Sequence, residues 1–430
     1  MKTIIRNITV CVGAVDSHIA FIPEAEIHID GNQIVYAGSK ASAPAFEAAA
    51  VIDGEGALAM PGMVNLHTHT PMTLLRSVGG NLNLEDWLHK AIFPRERKLS
   101  DEAVYLASQL GIMEMLRYGT TNYCDMYMHM DAQAKAVSEM KMRATLGHGS
   151  VSFQTEDTKD YDIGLDFALR WNKKENGRIK TAIAPHSTYL TTDTLLKNTA
   201  KHAAEYQLPV HVHVSETKTE VQTVIEKFGA TPPQVLERYG ILEHPVIAAH
   251  CVWLTDEDIA LVSKRRFTVA HNPISNLKLA SGIAPVLKFL EHGINVGIGT
   301  DGVASNNNLN LWEEMRAMPL LQKGLSLNPI AVSPAQTLYA ATVAGAKALG
   351  YENLGLLKEG YLADIVLVDL DTPTAQPGIS LEDDLIYALQ GGDVIMTMVD
   401  GNVLYHKGVY SGIDREAVFA AVKKAAKSLE

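Results

Sequence analysis

Eight short apolar runs, each ending in a polar residue, punctuate the middle of the chain: AMPGMVNLH, GTTNYCDM, RATLGHG, KTAIAPH, PVHVHVSE, VIAAHC, FTVAHN and NVGIGTD. Longer segments separate them, with apolar residues at the three- and four-residue spacing of a helix. In SDEAVYLASQLGIMEMLRYG, Ser100 stands as an N-cap and Gly119 as a C-cap. Eight β/α units over about 300 residues match the count and length of a (β/α)8 TIM-like barrel, an α/β fold. An open doubly wound sheet is the second choice. Its usual marker is a glycine-rich phosphate loop, and no GxGxxG or GxxxxGK[ST] occurs.

The chain ends read differently. IRNITV, EIHIDGNQIVYAG and AAVIDGEG look like strands, with Asp30-Gly31 and Asp53-Gly54 suited to hairpin turns. LADIVLVDLD and VIMTMVDGNVLYHKGVY repeat that texture around Asp400-Gly401, and an amphipathic helix follows from about Asp414. The expected organisation is a metal-dependent barrel over residues 59–357. Residues 1–58 and 358–430 would form one small composite β-sandwich domain, with a C-terminal helix.

Charge and cysteine usage narrow the class of partner. The net charge of −12 argues against nucleic acid and anionic membrane. Cys11, Cys124 and Cys251 form no CxxC pair, so a reducing cytoplasm is the expected setting. The start, MKTIIRNITVCVGAV, reads as a strand rather than a signal peptide, and no apolar run approaches membrane-spanning length.

In a barrel enzyme, chemistry is built at the C-terminal ends of the strands. Those ends carry His67 and His69, then Asp125, His148, His186, the group His211, His213 and Glu216, then His250, His271 and Asp301. Eight of the 16 histidines fall there, a sorting that packing alone does not require. Residues two apart on a strand share a face, so His67 and His69 project together into the barrel mouth and form a half-site for Zn²⁺ or Fe²⁺. On the fifth strand His213 is nearer the end and is the better donor, and His211 is expected as a packed, hydrogen-bonded interior residue. Glu216, just past that strand, suits acid/base work. Asp301 can ligate metal and accept a proton. His250 would sit between them and polarise the substrate. Cys251 is expected as inert packing. His271 and Asn272 precede Pro273, which favours a structural turn over a rim contact. An ion at this place would lower the pKa of water from about 15.7 to ~7.

The motifs PGMVNLHTHTPMTLLR, HVHVSET, AAHCV, VAHNPISNLKLASGIAP and GIGTDGVASNNNLNLWEEMR resemble the amidohydrolase superfamily in its mononuclear deaminase branch. They are most similar to the 5-methylthioadenosine/S-adenosylhomocysteine deaminases, over essentially the whole chain. The resemblance implies metal ligands His67, His69, His213 and Asp301, with Glu216, His250 and Asp301 as catalytic groups. It implies substrate contacts at Trp87 in EDWL, Glu96 in FPRER for the ribose hydroxyls, and His186 in APHS. Ser305 is counted with these contacts and, with Asn306, is an alternative N-cap for the following helix. Strand 4 ends in IAPH, with its lysine, Lys180, at its start. No bridging lysine is therefore available, and one ion per chain is expected: Zn²⁺, with Fe²⁺ or Mn²⁺ as alternatives. The implied reaction converts the adenine ring of 5′-modified adenosines to the inosine analogue plus ammonia. A small nucleoside is the expected partner, and a homo-oligomer is compatible with a barrel of this size.

One position departs from the family pattern. Relatives usually carry an arginine where MRATLGHG places His148, a position associated with the carboxylate of S-adenosylhomocysteine. Histidine is a poor substitute for a bidentate arginine–carboxylate pair. Methylthioadenosine, 5′-deoxyadenosine and adenosine are therefore ranked above S-adenosylhomocysteine. Lys159, in FQTEDTKDYD, is a candidate second cation. The rival enzyme reading is a deaminase or chlorohydrolase of guanine, cytosine or an s-triazine, and a non-catalytic scaffold is a remote alternative.

Overall fold

The computed structural model describes residues 1–429 apart from 16, 17, 81, 83–85 and 153–156. Glu85 of EDWL and the first four residues of FQTEDTKDYD therefore lie outside the described residues. Eight parallel strands form the barrel in chain order. They are Met63–Thr68, Thr120–Tyr127, Arg143–Ser150, Ile179–Thr181 continued by Ala184–Pro185, Val210–Val214, Val246–His250, Phe267–His271 and Asn295–Ile298. These are barrel strands 1 to 8 below. Strands 1 to 4 pair in register as one half and strands 5 to 8 as the other. Strands 5, 6 and 7 are buried along their whole length, as a parallel sheet covered on both faces requires.

The two halves meet at two seams. Ile183 and Ser187 bridge to Val210 and His213 between strands 4 and 5. At the other seam, the Asp301 amide donates to the His67 carbonyl at 3.0 Å. Gly299 permits this approach, because a Cβ there would lie 2.8 Å from the His67 backbone nitrogen and oxygen. Asn65 locks the same seam through both amide atoms, donating to Thr300 Oγ1 and accepting from the Thr300 amide.

Helix punctuation follows the residues at the ends. Ser100 accepts from the Ala103 amide at the start of helix Asp101–Arg117, and Gly119 follows its end at φ +82°. The helix after strand 8, Leu311–Ser326, is capped by Asn310 rather than by Ser305 or Asn306.

The run AMPGMVNLH, which reads as one strand, is two. Leu58–Pro61 belongs to another sheet, and the barrel strand starts only at Met63. That other sheet has nine strands. Lys2–Val15, His18–Asp30, Gln33–Ser39, Ala50–Asp53 and Leu58–Pro61 come from the start of the chain. Ile365–Val368, Val394–Val399, Asn402–His406 and Val409–Tyr410 come from its end. Asp30-Gly31 and Asp400-Gly401 turn hairpins. Asp53-Gly54 does not, because the strands on either side of it both run parallel to the first strand, along different halves of it. The sheet is continuous and curls over its own core of Ile5, Val10, Ile27, Ile365 and Met396. The curl brings the turns together, with Asn32 donating to Asp400 at 3.1 Å.

A buried ionic cluster ties this sheet to the barrel. Arg143, at the start of strand 3, donates twice to Asp364 at 3.0 Å and once to Asp400 at 2.9 Å. The C-terminal helix Arg415–Lys427, capped by Asp414, packs on helix Asp101–Arg117. Among the described residues no helix is long and apolar enough to cross a membrane.

Candidate metal and catalytic site

The strand ends bring His67, His69, His213 and Asp301 to one point. Nε2 of His69 and Nε2 of His213 lie 3.3 Å apart. Asp301 Oδ1 lies 3.4 Å from Nε2 of His67 and 3.2 Å from Nε2 of His69. Each ring is held by its other nitrogen. His69 Nδ1 donates to the Met126 carbonyl at 2.5 Å, His213 Nδ1 donates to the His186 carbonyl at 2.7 Å, and His67 Nδ1 contacts His211 Nε2 at 2.9 Å. A carbonyl can only accept, so His69 and His213 carry their proton on Nδ1 and direct an Nε2 lone pair inward. Lone pairs and a carboxylate converging in a buried place repel one another unless a cation lies among them. His67 Nε2 is buried and has no hydrogen-bond partner of its own. The ligand atoms fall into two overlapping groups, His67 with His69 and His213, and His67 with His250 and Asp301, and such imidazole and carboxylate donors fit a divalent metal ion.

The local field around Asp301 favours positive charge at this point. Burial pushes the His67 ring down to about 3. It also opposes charge on His69, but Asp301, Asp125 and the Met126 carbonyl outweigh it and push that ring up to about 9. Asp301 is held well below the usual carboxylate range: the histidines outweigh its burial. Its Oδ2 accepts from Ser275 at 2.5 Å and from Ser305 at 2.8 Å, and its Oδ1 accepts from the Gly302 amide at 2.8 Å.

Glu216 and His250 stand beside this cluster. Glu216 Oε2 lies 3.7 Å from His250 Nε2, and Ser281 donates to Glu216 Oε1 at 3.1 Å. Burial raises the Glu216 carboxyl above its ordinary range. His250 Nδ1 donates to Asn276 Oδ1 at 2.8 Å, which leaves Nε2 facing the cavity. Ser215, His250, Cys251 and Asp301 all have positive φ, from 52° to 73°. The backbone turns sharply where it hands these side chains to the site, a cost that structured sites commonly carry.

A cavity of about 460 Å³ opens above the cluster. His69, His213, Glu216, His250 and Asp301 contribute to its lining, and so do Trp87, Glu96, His148 and His186. Glu96 is buried, and burial raises its carboxyl. His148 donates from Nε2 to Asp160 Oδ1 at 2.7 Å, while Asp160 Oδ2 accepts from the Val151 amide. Lys159 does not line the cavity; its neighbour Asp160 does. Ser305 also stands outside the lining: its hydroxyl is buried against Asp301 instead of facing the cavity. Asp125 sits behind the site, accepting from the Thr70 amide, with burial pushing it up to about 6. His271 is buried outside the cavity. Cys251 is buried, and burial raises its thiol well above the ordinary range.

Some supporting groups escape a reading of the strand ends. Glu220 accepts from the amides of both Ser215 and Glu216 and so holds the turn that presents Glu216. Its signal was the Thr217-x-x-Glu220 spacing, which marks a helix start, and Thr217 does cap that helix. Ser275 lies 26 residues from the carboxylate it supports, and nothing local announces it.

An amidohydrolase family model matches residues 58–404, most of the chain. The chain belongs to the amidohydrolase family. Among amidohydrolase relatives, a 5-methylthioadenosine/S-adenosylhomocysteine deaminase of Dictyoglomus thermophilum is 43% identical over 379 residues, 88% of this chain and 89% of that protein. A 5′-deoxyadenosine deaminase of Methanocaldococcus jannaschii is 43% identical over 399 residues, 92% of this chain and 94% of that protein. The crystal structure of an adenosine deaminase from Xanthomonas campestris with bound zinc superposes with a TM-score of 0.94 at 32% identity, covering 99% of this chain and 98% of that one. The barrel with its curled companion sheet is thus the fold of an amidohydrolase, and it carries a His/Asp cluster that could hold a metal ion.

Proposed function

We propose that the protein hydrolytically deaminates the adenine ring of 5′-modified adenosines, giving the inosine analogue and ammonia. One Zn²⁺ per chain would be held by His67, His69, His213 and Asp301, with Fe²⁺ or Mn²⁺ as substitutes. The observation that supports the reading is that His69, His213 and Asp301 line the cavity beside Glu216 and His250, with His67 buried against them. The names of the relatives support the adenosine class of substrate.

When bound, the ion supplies Lewis-acid activation of water at neutral pH. The chain's own groups do the rest. Asp301 takes up the proton that the attacking water loses. Glu216, its carboxyl raised above the ordinary range by burial, delivers a proton to the ring nitrogen next to the carbon under attack. His250, its Nδ1 fixed by Asn276, presents Nε2 to the oxygen added at that carbon and steadies its developing charge. Water adds, Asp301 passes its proton to the amino group, the carbon–nitrogen bond breaks and ammonia leaves, and the proton of the added hydroxyl returns to Glu216. Glu96 accepts from the ribose hydroxyls, Trp87 and His186 pack against the nucleoside, and His148 faces the 5′ end. In this reading Ser305 acts through Asp301. A cytoplasmic setting and a nucleoside partner accompany the assignment, supported by the net charge and three unpaired, buried cysteines.

The test combines metal analysis with a panel of aminopurine nucleosides. About one ion per chain is expected, together with ammonia release and loss of the adenine absorbance band. Guanine, cytosine and an s-triazine form the rival arm. A metal-free, inactive protein, or turnover confined to the rival arm, overturns the proposal.

A further inference from the structure

Of the three histidines of the cluster, only His67 is held by another ring. His69 and His213, nearer the rim, rest on backbone carbonyls, which fix their tautomers outright. His67 is fully buried. A side chain, rather than a carbonyl, meets its Nδ1. His211 of strand 5 reaches across with Nε2 to His67 Nδ1 at 2.9 Å, the two ring planes being 85° apart. The other nitrogen of His211, Nδ1, lies 3.4 Å from Cys124 Sγ on strand 2. All three residues are buried without solvent contact.

An imidazole, unlike a carbonyl, can donate or accept. The tautomer of His67 is therefore decided by its neighbour rather than given. For His67 to offer the Nε2 lone pair, its proton must lie on Nδ1 and His211 Nε2 must accept it. An imidazole whose Nε2 accepts carries a single proton. With Nε2 accepting, that proton lies on Nδ1 and points at the Cys124 sulfur, a weak acceptor. With both nitrogens engaged, His211 has none left to bind an ion itself.

We infer that His211, backed by Cys124, is the positioning residue that makes His67 a metal donor. The inference rests on the metal reading above. It makes metal affinity, and not turnover alone, depend on two residues that touch neither ion nor substrate. Partners of this kind are typically worth about 10–100-fold in metal affinity.

The experiment is chelator-competition measurement of Zn²⁺ dissociation constants for the wild type, His211→Leu, His211→Gln and Cys124→Ala. Visible spectra of the Co²⁺-substituted proteins report donor geometry. His211→Leu is expected to weaken Zn²⁺ by about 10–100-fold and to shift the Co²⁺ bands. His211→Gln, whose Oε1 can accept from His67, is expected to restore both towards the wild type. Cys124→Ala is expected to weaken Zn²⁺ by less than the leucine variant, and it decides the matter alone if that variant does not fold. Unchanged affinity in His211→Leu, no rescue by glutamine, or unchanged affinity in a decisive Cys124→Ala overturns the assignment. Failure of the wild type to take up any Zn²⁺ overturns the metal reading itself, a distinct result.

Discussion

Ser281 donates its hydroxyl to Oε1 of Glu216 at 3.1 Å, from a position 65 residues further along the chain. Burial raises the Glu216 carboxyl, and the serine works against it by stabilising the charged form. If Glu216 gives a proton to the ring, kcat/KM falls as pH rises through its pKa. Ser281→Ala removes a donor to the carboxylate, so that pKa rises further and the alkaline limb moves to higher pH. A pH profile of kcat/KM measures this, and a limb that stays put or moves down contradicts the donor role.

Glu220 acts one step further back. Its two oxygens accept from the amides of Ser215 and Glu216 at 3.0 and 2.6 Å. Glu220→Ala leaves both buried amides without partners, at about 1–3 kcal/mol each. The thermal midpoint should fall, and kcat should fall more than KM rises, because the turn that aims Glu216 is loosened. Glu220→Gln can satisfy only one amide and should lie between. Steady-state kinetics beside a melting curve separate the two effects.

The barrel and its donor cluster were legible because both obey short-range rules. A strand end advertises itself by an apolar run stopping at a polar residue, and a histidine pair two apart shares a face. What stayed hidden depends on distant partners. Asn65 grips Thr300 from 235 residues away, and no pattern in either segment implies it. Ser305 looks like a helix cap or a cavity contact because a serine near a helix start commonly is one. Its hydroxyl instead turns to Asp301, four residues back. The division of AMPGMVNLH at Gly62 was hidden for another reason: both halves are buried strands, so no change in polarity marks the break.

Arg143 bridges Asp364 and Asp400 with almost no solvent contact, 2% for its side chain and 0% for that of Asp364. Removing the cation strands two carboxylates beside each other in a buried place. Arg143→Met should cost about 3–5 kcal/mol. The double variant Arg143→Met/Asp364→Leu should recover part of that loss, since the one carboxylate left, Asp400, is partly exposed and has Arg178 4.0 Å away. The cluster lies at the opposite end of strand 3 from the cavity, so KM should change little. Denaturation midpoints with steady-state kinetics check both statements.

Glu96 offers a way to tell a nucleoside site from a base site. It is buried in the cavity wall, where its carboxyl can accept from vicinal hydroxyls. Glu96→Gln keeps the shape and one acceptor but removes the charge. Loss of a charge-assisted hydrogen bond is worth about 1.5–3 kcal/mol, so kcat/KM for adenosines should fall about 10–100-fold. Turnover of free adenine, if measurable, should be unchanged. Equal loss with base and nucleoside contradicts the ribose role.

The 5′ end of the cavity is where His148 matters. Its Nε2 is already given to Asp160, and the other oxygen of Asp160 holds the Val151 amide. His148 is therefore already engaged by a carboxylate of the chain. A zwitterionic amino-acid tail would meet no free cation at His148, and its carboxylate would lie near a second carboxylate. Methylthioadenosine and 5′-deoxyadenosine should accordingly be turned over with higher kcat/KM than S-adenosylhomocysteine. His148→Arg supplies a fork that can grip a carboxylate while still pairing with Asp160. It should raise kcat/KM for S-adenosylhomocysteine by about tenfold or more, the worth of one charged hydrogen bond, with little effect on methylthioadenosine. Competition kinetics with the two nucleosides in one vessel give the ratio directly. A wild type with no preference for the smaller substrate contradicts this account of the 5′ end.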